Sequence, residues 1–103
     1  MVDDAHATGI LDTNFDGVDL HMGTLSKALG SEGGFVAASR EIIDYLRNTS
    51  RPFMYSTGLS PSSAGAALAA LEIIKNYKSL KKKLLDNAQY FRSKLKQIGF
   101  NVG

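Results

Sequence analysis

A sheet covered by helices, the α/β class, is what this sequence predicts, and three observations predict it. Short apolar runs alternate with glycine-rich turns as far as about residue 60. Beyond that point the texture becomes helical. Near the C-terminus, Tyr77, Leu84, Ala88, Phe91, Leu95 and Ile98 recur at helical steps of three, four and seven.

Taken in order, the chain opens on a strand ending at Val2, before the Asp3-Asp4 pair. Val18 to Met22 is a brief apolar run stopped by Gly23, and Gly34 to Ala38 is another, behind the turn signal Ser31 to Gly33; both read as strands. Ser39 is a good N-cap, with Ile42, Ile43 and Leu46 on one face, so a short helix is predicted to about Asn48, where Arg51-Pro52 breaks it. Phe53 to Ser56 is predicted as a further strand. Ser60-Pro61 then opens an alanine- and leucine-rich helix over 64–77, expected to be buried on most sides. The periodic stripe beyond it predicts an amphipathic helix ending at Gly99, and Phe100 to Gly103 reads as the start of another strand. A sheet so composed is incomplete, and both ends of the chain read as cut from a longer αβ succession.

At 103 residues, with 44% hydrophobic and 21% charged side chains, the chain is an ordinary globular segment, too short for a two-domain enzyme. The absence of cysteine excludes disulfide scaffolds, thiol nucleophiles and cysteine-ligated metals, and the N-terminus lacks the pattern of a signal peptide. No stretch is apolar enough to span a membrane, so a cytoplasmic protein is expected. The net charge of +2 is uneven: residues 1–71 carry four basic and eight acidic side chains, residues 72–103 eight and two. The lysines of the basic part fall on the wet side of the amphipathic helix, so nucleic acid is not an expected partner.

Three groups could do chemistry: Asp3-Asp4-Ala5-His6 before Gly9; Thr24-Leu25-Ser26-Lys27 before Gly30; and Tyr55-Ser56-Thr57 before Ser60-Pro61. Singly, each has an ordinary explanation. Asp3 and His6 without a third ligand make a poor metal site, so none is expected. The glycines match neither the dinucleotide fingerprint nor the P-loop, and Ser26 and Ser56 lack the flanking glycines of a nucleophile elbow. Together the groups supply what pyridoxal phosphate needs: an amine to bond the aldehyde, a carboxylate for the pyridine nitrogen, and donors for the phosphate. In such sheets ligands sit at the carboxyl ends of strands.

Val2-Asp3-Asp4-Ala5-His6-Ala7-Thr8-Gly9, Gly23-Thr24-Leu25-Ser26-Lys27-Ala28-Leu29-Gly30 with Gly33-Gly34, and Arg51-Pro52-Phe53 through Ser56-Thr57 to Pro61 resemble, in order, the signatures of the α-oxoamine synthases. The resemblance implies part of the large domain of a fold-type-I pyridoxal-phosphate transferase over 1–60, with linking helices and the start of the C-terminal domain over 61–103. It makes Lys27 the Schiff-base lysine, Asp3 the partner of the pyridinium nitrogen, His6 the contact of the cofactor's phenolic oxygen and Thr24 a phosphate ligand. Ser56 and Thr57 match a segment that reaches the phosphate of the neighbouring subunit, which implies a homodimer. The substrates implied are an amino acid and an acyl-CoA. Among the family's branches, Asp3 to Gly9 and Ser31 to Phe35 are most like the biotin-pathway branch, with glycine C-acetyltransferases next.

Against that pattern the stretch between Gly9 and Thr24 is short, with Leu11 to Asp16 standing where the family has a glycine-rich segment. The family's substrate-carboxylate arginine and ring-stacking histidine fall outside these residues, so the isolated chain is expected to be a non-catalytic piece of a synthase.

Overall fold

A computed structural model of the chain describes residues 1–102. Its elements run β1 (Val2–Asp3), β2 (Leu20–Thr24), β3 (Gly34–Ala38), α1 (Arg40–Thr49), α2 (Arg51–Met54), α3 (Pro61–Asn76) and α4 (Lys78–Gln97). Sheet and helices together give the expected α/β class. Two compact units divide the chain, the first over residues 1–71 and the second from Glu72 onward. The boundary falls where the charge changes sign.

The first unit holds the sheet, with β2 at its centre. β1 pairs parallel to it, Val2 opposite His21 and Asp3 opposite Met22, whereas β3 pairs antiparallel, from Leu20 opposite Ala38 to Thr24 opposite Gly34. β2 therefore lies two residues later than its apolar run predicts. The stop signal at Gly23 is overridden because Phe35, its cross-strand partner, occupies the space above it. A Cβ on Gly23 would fall 2.6 Å from Phe35 Cε1 and 2.7 Å from Thr8 Oγ1. Gly23→Ala is accordingly expected to overpack this face and cost about 1–3 kcal/mol, read as a lower denaturation midpoint with unchanged slope.

Ser39 caps α1 as expected, its side chain accepting a long 3.5 Å bond from the Ile42 amide. The Ser39 hydroxyl and the Glu41 backbone hold the Glu41 carboxyl below the usual carboxylate range. That contribution is present at neutral pH and fades as acid protonates Glu41 in the folded chain.

The strand expected at Phe53 to Ser56 is not one. After α1 stops, Ser50 starts a new turn: its carbonyl accepts from the Phe53 and Met54 amides at 3.1 and 2.9 Å, and Tyr55 N donates to Arg51 O. Pro52 sits in the first turn of α2, where its fixed φ suits a helix and its missing N–H costs nothing. Local helical bonds thus take amides that the β-forming side chains alone suggested would enter a ladder.

At α3 the Ser60 side chain accepts from Ser63 N at 3.2 Å, with Pro61 as the first helical residue. The expectation that this helix is buried on most sides does not hold: only Ala67 is buried, while Leu68, Leu71 and Ile73 are exposed. Its apolar composition suits a covered helix, but the described residues lay no second layer over those side chains.

In the second unit, α4 ends on a Schellman arrangement: Gly99 has φ +92°, its amide bonds Lys96 O, and Phe100 N bonds Leu95 O. The helix is amphipathic in pattern, yet Leu84, Phe91 and Ile98 of its apolar stripe are exposed. Lys82 and Asp86 pair at 2.6 Å one turn apart on the polar side. Residues 100–102 join no strand, correcting the strand expected there, since a strand exists only by pairing. Gly103, the last residue of that expectation, lies outside the described residues.

Candidate active site

The site is built at one edge of the sheet. β1 and β2 run parallel and end there at Asp3 and Thr24, and β3 begins at the same edge with Gly34. Asp3, the turn bearing His6, and the loop bearing Lys27 are thus placed together by topology.

The Lys27 loop is rigidly tied. Leu25 N donates to Gly33 O at 3.0 Å, Ser31 N to Leu25 O at 2.9 Å, and Gly30 N to Lys27 O at 3.0 Å, a turn that Gly30 closes with φ +57°. Leu29, 2% exposed, anchors the loop to the interior. Thr24 Oγ1 donates to Gly33 O at 3.1 Å and accepts from Ser26 N at 3.2 Å. With its proton so committed, the 2.8 Å contact to Ser26 Oγ has Ser26 as donor. In this arrangement Thr24 closes the loop and directs no proton outward. The Lys27 side chain is exposed and makes no hydrogen bond or ion pair among the described residues.

The two neighbouring acids separate cleanly. Asp3 is exposed, and its carboxylate accepts only the Ala5 amide, at 3.0 Å, leaving lone pairs for a ligand. Asp4 is buried and serves the protein: its carboxylate accepts from Thr13 Oγ1 at 3.0 Å and shares the Thr8 hydroxyl, at 3.1 Å, with its own carbonyl at 2.8 Å. His6 is exposed and makes no hydrogen bond among the described residues.

Ser56 and Thr57 make no hydrogen bond to this group among the described residues. They lie in the exposed link between α2 and α3, and Ser56 Oγ turns back on Phe53 O at 3.4 Å. Sequence reasoning missed a pair that fastens the lysine loop to α3: Ser63 Oγ donates to Glu32 Oε1 at 2.8 Å, and Ser31 Oγ donates to Ser63 O at 2.7 Å. A serine opposite a glutamate thirty-one positions away leaves no local signal.

Two grooves flank the sheet. One, of about 500 Å³, is lined by Phe15, His21 and Ala37 among others; the second, of about 580 Å³, by Met22, Val36, Leu46 and Phe53. Neither of these two is lined by Lys27, Asp3 or His6, all three of which are exposed. Among the described residues, no cluster of three or more His, Asp or Glu side chains is placed to hold a metal ion. No helix among them is long and apolar enough to cross a membrane.

Residues 1–103 match the aminotransferase class I and II family along their whole length. The chain belongs to this family. A relative from Petrotoga mobilis named 8-amino-7-oxononanoate synthase is 47% identical across the whole chain, and one of the same name from Thermoanaerobacter pseudethanolicus is 44% identical over 99% of it. The chain spans 29% and 28% of those two relatives, less than a third of their length. The first alignment extends over 113 positions against the chain's 103 residues, so that relative carries ten positions with no counterpart here. Among solved family structures, a serine palmitoyltransferase from S. paucimobilis with bound PLP and myriocin superimposes with a TM-score of 0.82 at 28% identity, covering 96% of this chain and 28% of that one. The 8-amino-7-oxononanoate synthase of Francisella tularensis gives 0.80 at 25% identity, covering 97% and 33%.

Proposed function

We propose that the longer protein to which this segment belongs is a cytoplasmic, homodimeric, pyridoxal-phosphate-dependent acyltransferase that condenses L-alanine with pimeloyl-CoA in biotin biosynthesis. The carbon skeleton closes: the alanine α-carbon bonds the thioester carbonyl, CoA leaves as thiol, the alanine carboxylate leaves as carbon dioxide, and 8-amino-7-oxononanoate remains. Residues 1–60 would belong to its cofactor-binding large domain, and 61–103 to linking helices and the start of the C-terminal domain.

The observation that carries the reading is the lysine loop. A free amine stands on a loop fixed by its own backbone bonds and by Leu29, at the edge where the strand bearing a half-satisfied carboxylate ends. The donor set suits pyridoxal phosphate: Lys27 for its aldehyde carbon, Asp3 for its ring nitrogen, His6 for its phenolic oxygen. Bound there, the group would supply an electron sink for the substrate's α-carbon. Lys27 would take the proton from that α-carbon and return it after carbon dioxide leaves. Asp3 would hold a proton on the ring nitrogen, and His6 would donate to the phenolic oxygen and fix the ring's orientation. Thr24 would reach a phosphate by turning its proton away from Gly33 O. Ser56 and Thr57, exposed in the link between α2 and α3, suit a contact made to the partner subunit's phosphate.

The test is turnover by the full-length protein. Thiol release is expected from pimeloyl-CoA only when L-alanine is present, with stoichiometric carbon dioxide. Release with glycine and acetyl-CoA instead would move the assignment to a glycine C-acetyltransferase, and release with neither pair would overturn both.

A further inference from the structure

Asp4 is the buried acid of the first unit, 6% exposed, and three separate stretches converge on its carboxylate. Thr13 of the next loop gives a hydroxyl at 3.0 Å, Thr8 of the adjoining turn shares its one hydroxyl proton between the carboxylate at 3.1 Å and the Asp4 carbonyl at 2.8 Å, and His21 of β2 brings Nε2 to 3.5 Å. That Nε2 is itself buried and makes no hydrogen bond among the described residues, so the Asp4 carboxylate is the polar group facing it. The His21 ring is covered by Phe15, stacked with centroids 4.0 Å apart, and met edge-on by Phe35 at 5.5 Å. Thr13 and Phe15 therefore fasten one loop twice, to the acid after β1 and to the imidazole within β2.

The position of this cluster is what gives it a use. β1 is two residues long, and the turn bearing His6 hangs from Asp4, whose carbonyl accepts from Ala7 N and Thr8 N at 2.9 and 2.8 Å. So short a strand gives the turn beyond it little directional hold. A buried acid that must be fully satisfied fixes that turn well, because any displacement of Asp4 leaves a charge without its donors.

We infer that Asp4, His21, Thr13 and Phe15 form a clamp holding the turn that carries Asp3 and His6 against β2, which makes Asp4 and His21 positioning residues for the cofactor site. The inference rests on the reading of that site as one for pyridoxal phosphate. Its test separates the two. In the full-length protein, Thr13→Val removes one hydroxyl at constant shape from a half-exposed position. Without cofactor, amide exchange at Ala7, Thr8, Ile10 and Leu11 is expected to quicken about five- to tenfold, the change that one hydrogen bond's net contribution converts to, and Thr13→Ser is expected to restore it. With pyridoxal phosphate as the probe, the dissociation constant should rise by a similar factor in Thr13→Val and recover in Thr13→Ser. Unchanged exchange in Thr13→Val overturns the clamp, and faster exchange with unchanged cofactor affinity overturns its role in positioning. If the wild-type protein takes up no pyridoxal phosphate, the reading of the site fails, while the exchange comparison still decides whether the clamp exists.

Discussion

Lys27→Ala in the full-length protein is expected to remove the absorbance band at about 420 nm that the wild type develops with pyridoxal phosphate, and to lower turnover on the order of a thousandfold or more. Borohydride should fix the cofactor onto Lys27 of the wild type, as mass spectrometry of the peptide would record, and onto no peptide of the variant. Two roles fail together in that substitution, the covalent hold on the aldehyde and the proton transfer at the substrate's α-carbon, so added methylamine is expected to restore only a small part of the rate. The fold should survive. Lys27 is exposed and bonded to nothing described through its side chain, and the loop is held by Thr24, Leu25 and Leu29. An unchanged melting temperature alongside the lost band would therefore place the defect in chemistry. A normal band in the variant would remove Lys27 from the role.

Much of this placement could be read from residues alone, and the parts that could not share a physical cause. β3 falls on Gly34–Ala38 and α1 begins after Ser39 because a turn signal and an N-cap are local statements, settled within three or four residues. Likewise Ser60-Pro61 and Gly99 mark helix ends through their own backbone geometry. The segment at Phe53 misled because its aromatic and methionine side chains favour a strand only if a neighbouring strand is there to pair, whereas Ser50 and Pro52 close a helical turn with no outside help. Gly23 misled in the opposite sense: it reads as a stop, and only the ring of Phe35, twelve residues on, explains its place inside β2. In the candidate site, the order of acid, then hydroxyl, then lysine was visible, and so was the sheet edge on which they would meet. The division of labour between Asp3 and Asp4 was not, since it depends on Thr13 and His21, and neither position announces a partner in a stretch of sequence.

That division leads to the other large effect. Asp3→Asn is expected to lower turnover by about a hundredfold or more while leaving the protein folded and still able to bind pyridoxal phosphate through Lys27, because an amide cannot hold a proton on the ring nitrogen as a carboxylate does. The cofactor's absorption and circular dichroism should change in the same variant, the signature of an altered charge at the ring. Asp4→Ala is expected to behave differently. It takes the acceptor from the Thr13 hydroxyl and the carboxylate from in front of His21 Nε2, while Thr8 Oγ1 keeps the backbone carbonyl of position 4; the loss costs about 1–3 kcal/mol, so its first symptom should be a lower denaturation midpoint and faster exchange in the turn. Loss of cofactor affinity would result from that disorder, and the spectrum of whatever cofactor still binds should be that of the wild type. Should Asp4→Ala carry the altered spectrum while Asp3→Asn turns over normally, the two acids have exchanged roles, and the ring would have to lie on the His21 side of the sheet. The geometry argues against that exchange: Asp3 shares its face with Met22 and keeps free lone pairs, whereas every donor around Asp4 already belongs to the chain.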